Sequence, residues 1–347
     1  MTKNHTLSFD DFDEVVNPRL LEPEFDHVVE RALSRRGFIG GILALGSVTA
    51  LTGGVLPATA RADGSRFAFE AISTSTADTI TVPEGFKTEI VARWGDPLFS
   101  DTPEFDPLTR GTAASQARAF GDNTDGMDIF SHAGRTLLVV NNEYTNRDII
   151  WGDRGDAGPD ADGILKGMMA HGVTVVELAD GENGWQMVKD SPYNRRITPQ
   201  TEMLLTGPAA GHDLVKTDAD PTGTKVQGTW NNCGNGVTPW GTYLACEENF
   251  NGYFSAEDEA HEVSADLKRY GISAKDWGYR WAEVDTRFDV AQNPNEPNRA
   301  GYVVEIDPTD ATSTPKKRSA LGRMKHENAE CVVNNDGKLV IYMGDDE

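Results

Sequence analysis

The residue types best able to bind a cation or move a proton gather where apolar stretches of this chain end. The fullest example runs from Asn231 to Gly252, an Asn/Gly-rich loop holding Cys233, then a short apolar run that delivers Cys246, Glu247 and Glu248. Side chains alternate along a strand, so Glu247 and Glu248 share one face only if the strand stops there. One of them would serve a metal at the strand tip, while the other faces solvent or a second ion. A second group is Lys325-His326-Glu327-Asn328-Ala329-Glu330, which opens an apolar run through Val333. A third is Asn141-Asn142-Glu143, directly after the run that ends at Val140, and Asp345-Asp346-Glu347 follows another. Each is weak alone. Repeated at several tips facing one axis, they would form an oxygen-rich cage for hard cations.

Other groups rank lower. Asp122, Asp125 and Asp128 lie in a loop with the acid and glycine density of a calcium site but without EF-hand spacing, and the expectation is a loop at the same mouth. Asp156–Asp162 reads as a solvated turn, His212-Asp213 as able to orient a ligand but more often structural, and Arg195-Arg196 as either an anion contact or surface. The chain has no phosphate-binding Gly-rich loop, HExxH, GxSxG or haem-attachment motif. With 55 acidic against 32 basic residues among 347, the net charge of −23 argues against nucleic acid as a partner. A dense carboxylate site needs cations before it can polarise a phosphate or carbonyl. Three cysteines allow at most one disulfide and one free thiol.

The elements that would position these groups are short strands. β-rich runs recur at Phe86–Ala92, Thr136–Val140, Val173–Leu178, Gly241–Ala245, Tyr302–Ile306, Glu330–Val333 and Lys338–Met343, with turn signals such as Asp336-Gly337 between several of them. Leu137–Val140 and Val173–Val176 are apolar on both faces, which predicts burial between neighbouring sheets, as in a propeller or sandwich. One helical stretch is expected, over about Ala256–Tyr270. The fold class is all-β, with long loops and few helices. Because the chain stops immediately after an apolar strand, the expectation is that it ends short of the natural C-terminus.

Residues 1–62 read as an address rather than a fold. Arg35-Arg36 precede an apolar, Gly-rich run from Ile42 to Leu56, and small residues close it at Ala58-Thr59-Ala60 and Ala60-Arg61-Ala62. This is the layout of a twin-arginine export signal, too short and Gly-rich for a comfortable membrane span. The twin-arginine translocation machinery is therefore an expected partner, no stable membrane anchor is expected, and the destination is periplasmic or secreted.

With that signal, Val82-Pro83-Glu84-Gly85-Phe86 leading to Trp94-Gly95-Asp96-Pro97, the Cys233–Gly252 block, and Lys325–Glu330 with Gly344-Asp345-Asp346-Glu347, the chain resembles the PhoX family of bacterial alkaline phosphatases. The resemblance implies that residues 63–347 belong to a β-propeller, six-bladed in the complete protein, whose axial pocket holds ferric iron (Fe3+) and calcium (Ca2+) and hydrolyses phosphomonoesters. It makes Glu143, Cys233, Glu247, Glu248, Glu327, Glu330, Asp345 and Asp346 candidate metal ligands, with Cys233 favoured over Cys246 as the soft ligand, and Asp122 and Asp125 join them from the acidic loop at the same mouth. Glu247, Glu327 and Lys325 become the candidates for catalysis, and a monomer is expected. Two rivals stay open: a calcium propeller hydrolysing lactones or phosphotriesters, and a non-enzymatic calcium-stabilised binding propeller.

Overall fold

A computed structural model describes residues 72–152, 158–181 and 184–346, so residues 1–62, expected to be an export signal, and Asp156 lie outside the described residues. The chain divides into two compact units, Met1–Thr88 and Glu89–Glu347. No helix among the described residues is long and apolar enough to cross a membrane.

The second unit is built on antiparallel sheets. β1 (Thr124–His132), β2 (Arg135–Asn142), β3 (Gly172–Gly181) and β4 (Gly184–Met187) pair in chain order, and β5 (Arg195–Ile197) pairs with β3. A six-stranded sheet contains β6 (Glu202–Thr206), β7 (Lys225–Gln227), β8 (Asn232–Val237), β9 (Tyr243–Glu247), β10 (Val303–Ile306) and β11 (Lys316–Arg318), ordered β7-β6-β11-β10-β9-β8. Only its β11–β6 pairing is parallel. β12 (Glu330–Val333) and β13 (Leu339–Tyr342) form a hairpin around Asp336-Gly337, as the turn signal predicts.

Alternation explains how these sheets stack. Leu137, Val139, Val173 and Val175 point to one side and join Phe130, Tyr243, Ala245 and Val304 in a core between the two large sheets. Val140 and Val176 point the other way, into a second core with Leu98, Phe120 and Leu178. On the far face of the six-stranded sheet, Leu244, Cys246, Val303 and Ala329 bury a third layer against Cys331, Ile341 and Met343 of the hairpin region. The both-face burial read from Leu137–Val140 and Val173–Val176 is present, and the fold is mostly β with four short α-helices among the described residues.

Some expectations need correcting. No strand forms over Phe86–Ala92, where Phe86 and Ile90 are more than half exposed. β9 starts two residues later than expected because Gly241-Thr242 complete the turn. Helix is limited to α4 (Ala265–Arg269), capped by Ser264; the acidic stretch before it supplies too little apolar surface to pack a longer one. Conversely, α3 (Ala161–Ala170) begins where a turn was expected, with Asp160 capping the Gly163 amide at 2.8 Å. α1 (Ala113–Gln116) and α2 (Arg147–Trp151) are short.

An aromatic group of Trp230, Tyr253, Tyr279, Trp281 and Phe288 surrounds His171 or packs beside it. The imidazole is fully buried, with Nδ1 2.7 Å from the Gly167 carbonyl and Nε2 3.1 Å from the Tyr253 hydroxyl. Burial, with Arg196 adding to it, lowers its pKa to about 3. The folded protein thus refuses a proton that the unfolded chain accepts below its ordinary value near 6.5. The stability His171 contributes is complete above that pH and is lost as pH falls toward 3, at up to about 1.4 kcal/mol per pH unit. Denaturant titrations between pH 7 and 4 should show a shallower acid slope for His171→Gln; an unchanged slope would mean the imidazole is protonated in the fold.

Candidate metal centre

Two irregularities in strand pairing create the first group of ligands. β1 slips register against β2 between Thr124 and Met127, and β8 slips against β9 between Asn232 and Asn235. Bulges of this kind re-aim side chains. Here they turn Asp125 and Cys233 toward Glu143, which follows β2 and whose amide donates to the Asn123 carbonyl at 3.0 Å. One ligand atom from each of Asp125, Glu143 and Cys233 lies within 4.8 Å of the others. Asn141 holds the bulge by donating its Nδ2 to the carbonyls of Cys233 and Gly234, at 2.5 and 2.9 Å.

The second group is Glu248, Glu327 and Asp346, again within 4.8 Å. Glu248 stands one residue beyond β9, with its amide on the Asn231 carbonyl at 2.9 Å. The Glu327 amide donates to Gly344 O at 3.2 Å, and the Asp346 amide to Lys325 O at 3.2 Å. Close approach of β8 to the 327–329 segment depends on glycine: a Cβ on Gly234 would sit 2.2 Å from the Glu327 carbonyl oxygen, and one on Gly236 1.9 Å from that of Ala329. Gly234→Ala should therefore push Glu327 outward, costing about 1–3 kcal/mol of stability by overpacking. A denaturation midpoint with calcium and with chelator checks this, since the loss should be larger with calcium present.

The groups adjoin. Burial is the main influence pushing the Cys233 thiol pKa up, followed by the charges of Glu248, Asp125 and Glu143, so one thiol feels carboxylates from both groups. The two groups together bring five carboxylates and a thiol into one strongly acidic site. Cations could make the site attractive to an anion.

Four expected ligands, Glu247, Asp122, Glu330 and Asp345, stand outside these groups. Glu247 points to the opposite side of the strand from Glu248 and is fully buried: its Oε1 accepts from Lys317 Nζ at 2.6 Å, and its Oε2 from the amides of Gly301 and Tyr302 at 2.9 and 3.0 Å. Both oxygens are occupied, which corrects its assignment as ligand and catalyst. Asp122 is buried under the loop, accepting from the Asn146 amide at 3.2 Å, and burial raises its pKa. Glu330 is exposed on β12 opposite Tyr342. Asp345 accepts from the Lys325 amide at 3.2 Å, and Lys325 itself is buried. Its main chain joins Asp345 to Asp346, with the Lys325 amide on the Asp345 carboxylate and the Asp346 amide on the Lys325 carbonyl.

The neighbouring histidine is also turned away: His326 is fully buried, with Nε2 3.4 Å from the Gly322 carbonyl. Arg196 is no anion contact, since its guanidinium donates to Met169 O and His171 O at 2.9 and 2.7 Å, and burial lowers its pKa to about 9. His212 caps a turn by accepting from Leu214 N at 3.2 Å. Sequence reasoning missed Asn141 as the clamp on Cys233; an amide at the end of an apolar strand was its only signal.

A largely antiparallel β scaffold with strand ends carrying a thiol-and-carboxylate group beside an all-carboxylate group defines a candidate metalloprotein of the hydrolase type. The family model described as alkaline phosphatase PhoX matches residues 67–347, and the chain belongs to that family. A solved structure, Pseudomonas fluorescens PhoX in complex with vanadate, a transition state analogue, is 48% identical, with a TM-score of 0.77 over 80% of this chain and 48% of that one. This chain thus spans about half the length of that relative. No curated protein matches it.

Proposed function

We propose that this chain belongs to an exported, metal-dependent alkaline phosphatase that hydrolyses phosphomonoesters and releases inorganic phosphate. The observation carrying the reading is the pair of adjoining three-ligand groups within a chain of the PhoX family. The vanadate bound by the similar solved structure supports phosphoryl transfer as the chemistry.

The donor chemistry fits the metals. One thiol with two carboxylates suits iron, here taken as Fe3+, because a soft donor selects a transition metal. Three carboxylates suit Ca2+, a hard cation that prefers oxygen. Bound there, the cations would neutralise the phosphate and stabilise the charge that develops on it during transfer. Asp125, Glu143 and Cys233 would hold the first, and Glu248, Glu327 and Asp346 the second. Asn141 would keep the Cys233 sulfur aimed inward. The wider reading includes a six-bladed propeller in the complete protein, twin-arginine export to the periplasm or beyond, and a monomer.

The test is phosphomonoester hydrolysis at alkaline pH before and after chelation, together with metal analysis of protein purified without chelator. Activity that disappears with chelator and returns with iron and calcium together supports the reading. Calcium without iron, with lactone or phosphotriester turnover instead, would replace it by the rival hydrolase.

A further inference from the structure

We propose that Glu247 and Lys317 are a positioning pair that fixes the Glu248–Glu327–Asp346 group, an inference that rests on that group being a cation site. Glu247 occupies the position behind the group. Its carbonyl accepts from the His326 amide at 3.0 Å, one residue before Glu327, and its own amide donates to Tyr302 O at 3.2 Å. Its side chain reaches the opposite way, to the amides of Gly301 and Tyr302 and to Lys317 Nζ. Lys317 Nζ also donates to Arg299 O at 2.9 Å. One residue thereby ties the end of β9 to the Gly301-Tyr302 entry to β10, to β11 and to His326, and the next residue in the chain is Glu248.

Stability is a poor reason for such a pair. Desolvating two charges costs so much that apolar residues of similar size often serve a core equally well. What the charged pair supplies and an apolar pair lacks is direction: three N–H donors converge on one carboxylate and fix the backbone on both sides of it. Ligand-supporting partners of this kind commonly set metal affinity by about 10–100-fold. The pair's place is therefore that of an outer support which holds Glu248 and Glu327 at a common distance before the cation arrives.

The full chain is tested in three forms, wild type, Glu247→Leu/Lys317→Met and Glu247→Gln, with Glu248→Gln marking which binding event belongs to this group. Calcium alone is titrated calorimetrically, and unfolding is followed in chelator. The apolar pair is expected to unfold in chelator below wild type, because the Gly301 and Tyr302 amides lose their acceptor, and to bind calcium about 10–100-fold more weakly. Glu247→Gln, which keeps an acceptor for the Gly301 and Tyr302 amides, should recover part of that loss. Wild-type calcium affinity in the apolar pair would overturn the proposal and leave a core staple. Should that variant fail to fold, Glu247→Gln decides alone: weakened binding supports the pair, and unchanged binding overturns it. Calcium binding without phosphomonoesterase activity in the wild type would count against the proposed function and leave this test intact. Absence of any calcium binding lost in Glu248→Gln would overturn the pair as well.

Discussion

Cys233→Ser is expected to remove iron and activity together, with a loss larger than the roughly 10–100-fold that follows removal of an outer support. The serine hydroxyl is nearly the same size, so the bulge in β8 and its Asn141 clamp should persist. What goes is the soft donor, since a hydroxyl does not ionise as a thiol does when a metal binds. Without a cation, burial and then the surrounding carboxylates keep the Cys233 thiol protonated. Metal uptake must therefore expel that proton, so apparent iron affinity should rise with pH. Metal analysis and phosphomonoester turnover measured on the same preparations check this. Full iron content and full activity in Cys233→Ser would mean that Cys233 is structural.

Lys317→Met should produce the largest loss of stability. The ammonium it removes is the buried partner of a fully buried carboxylate, at 2.6 Å with neither side chain more than 1% exposed. Burial pulls the Lys317 pKa down while the Glu247 charge holds it up, so each group depends on the other. Breaking such a pair from one side leaves a charge without compensation and costs about 3–5 kcal/mol, a large share of a typical domain's stability. Chemical denaturation in chelator measures it free of any metal contribution. A loss below about 1 kcal/mol would show that Glu247 finds another partner or takes up a proton.

Much of the scaffold is legible in the sequence because its strands carry long apolar runs. β2, β3, β10 and the hairpin announce themselves through Val, Leu and Ile bounded by turn residues. β1 does not: it begins with Asp125 and Asp128 at a sheet edge, where charge guards against pairing with other chains, and so reads as a loop. β8 is hidden by its Asn and Gly residues, chosen for close backbone approach and not for strand propensity. α3 is buried on nearly all sides, so it lacks the polar face that marks a surface helix.

The candidate site divides in the same way. Acidic residues flanking apolar runs point to Glu143, Glu248 and Asp346 after a run and Glu327 before one, because local order places them at strand tips. Choosing Glu248 over Glu247, however, needs the direction of each side chain, and that is set by contacts more than fifty residues away, at Gly301, Tyr302 and Lys317. The bulges that aim Asp125 and Cys233 are likewise products of sheet pairing.

The most direct test is an anomalous-scattering map from crystals of the metal-loaded protein, recorded on both sides of the iron absorption edge. An iron peak among Asp125, Glu143 and Cys233, with a calcium peak among Glu248, Glu327 and Asp346, is the predicted result. Metals bound elsewhere, or peaks at neither group in a catalytically active protein, would contradict it.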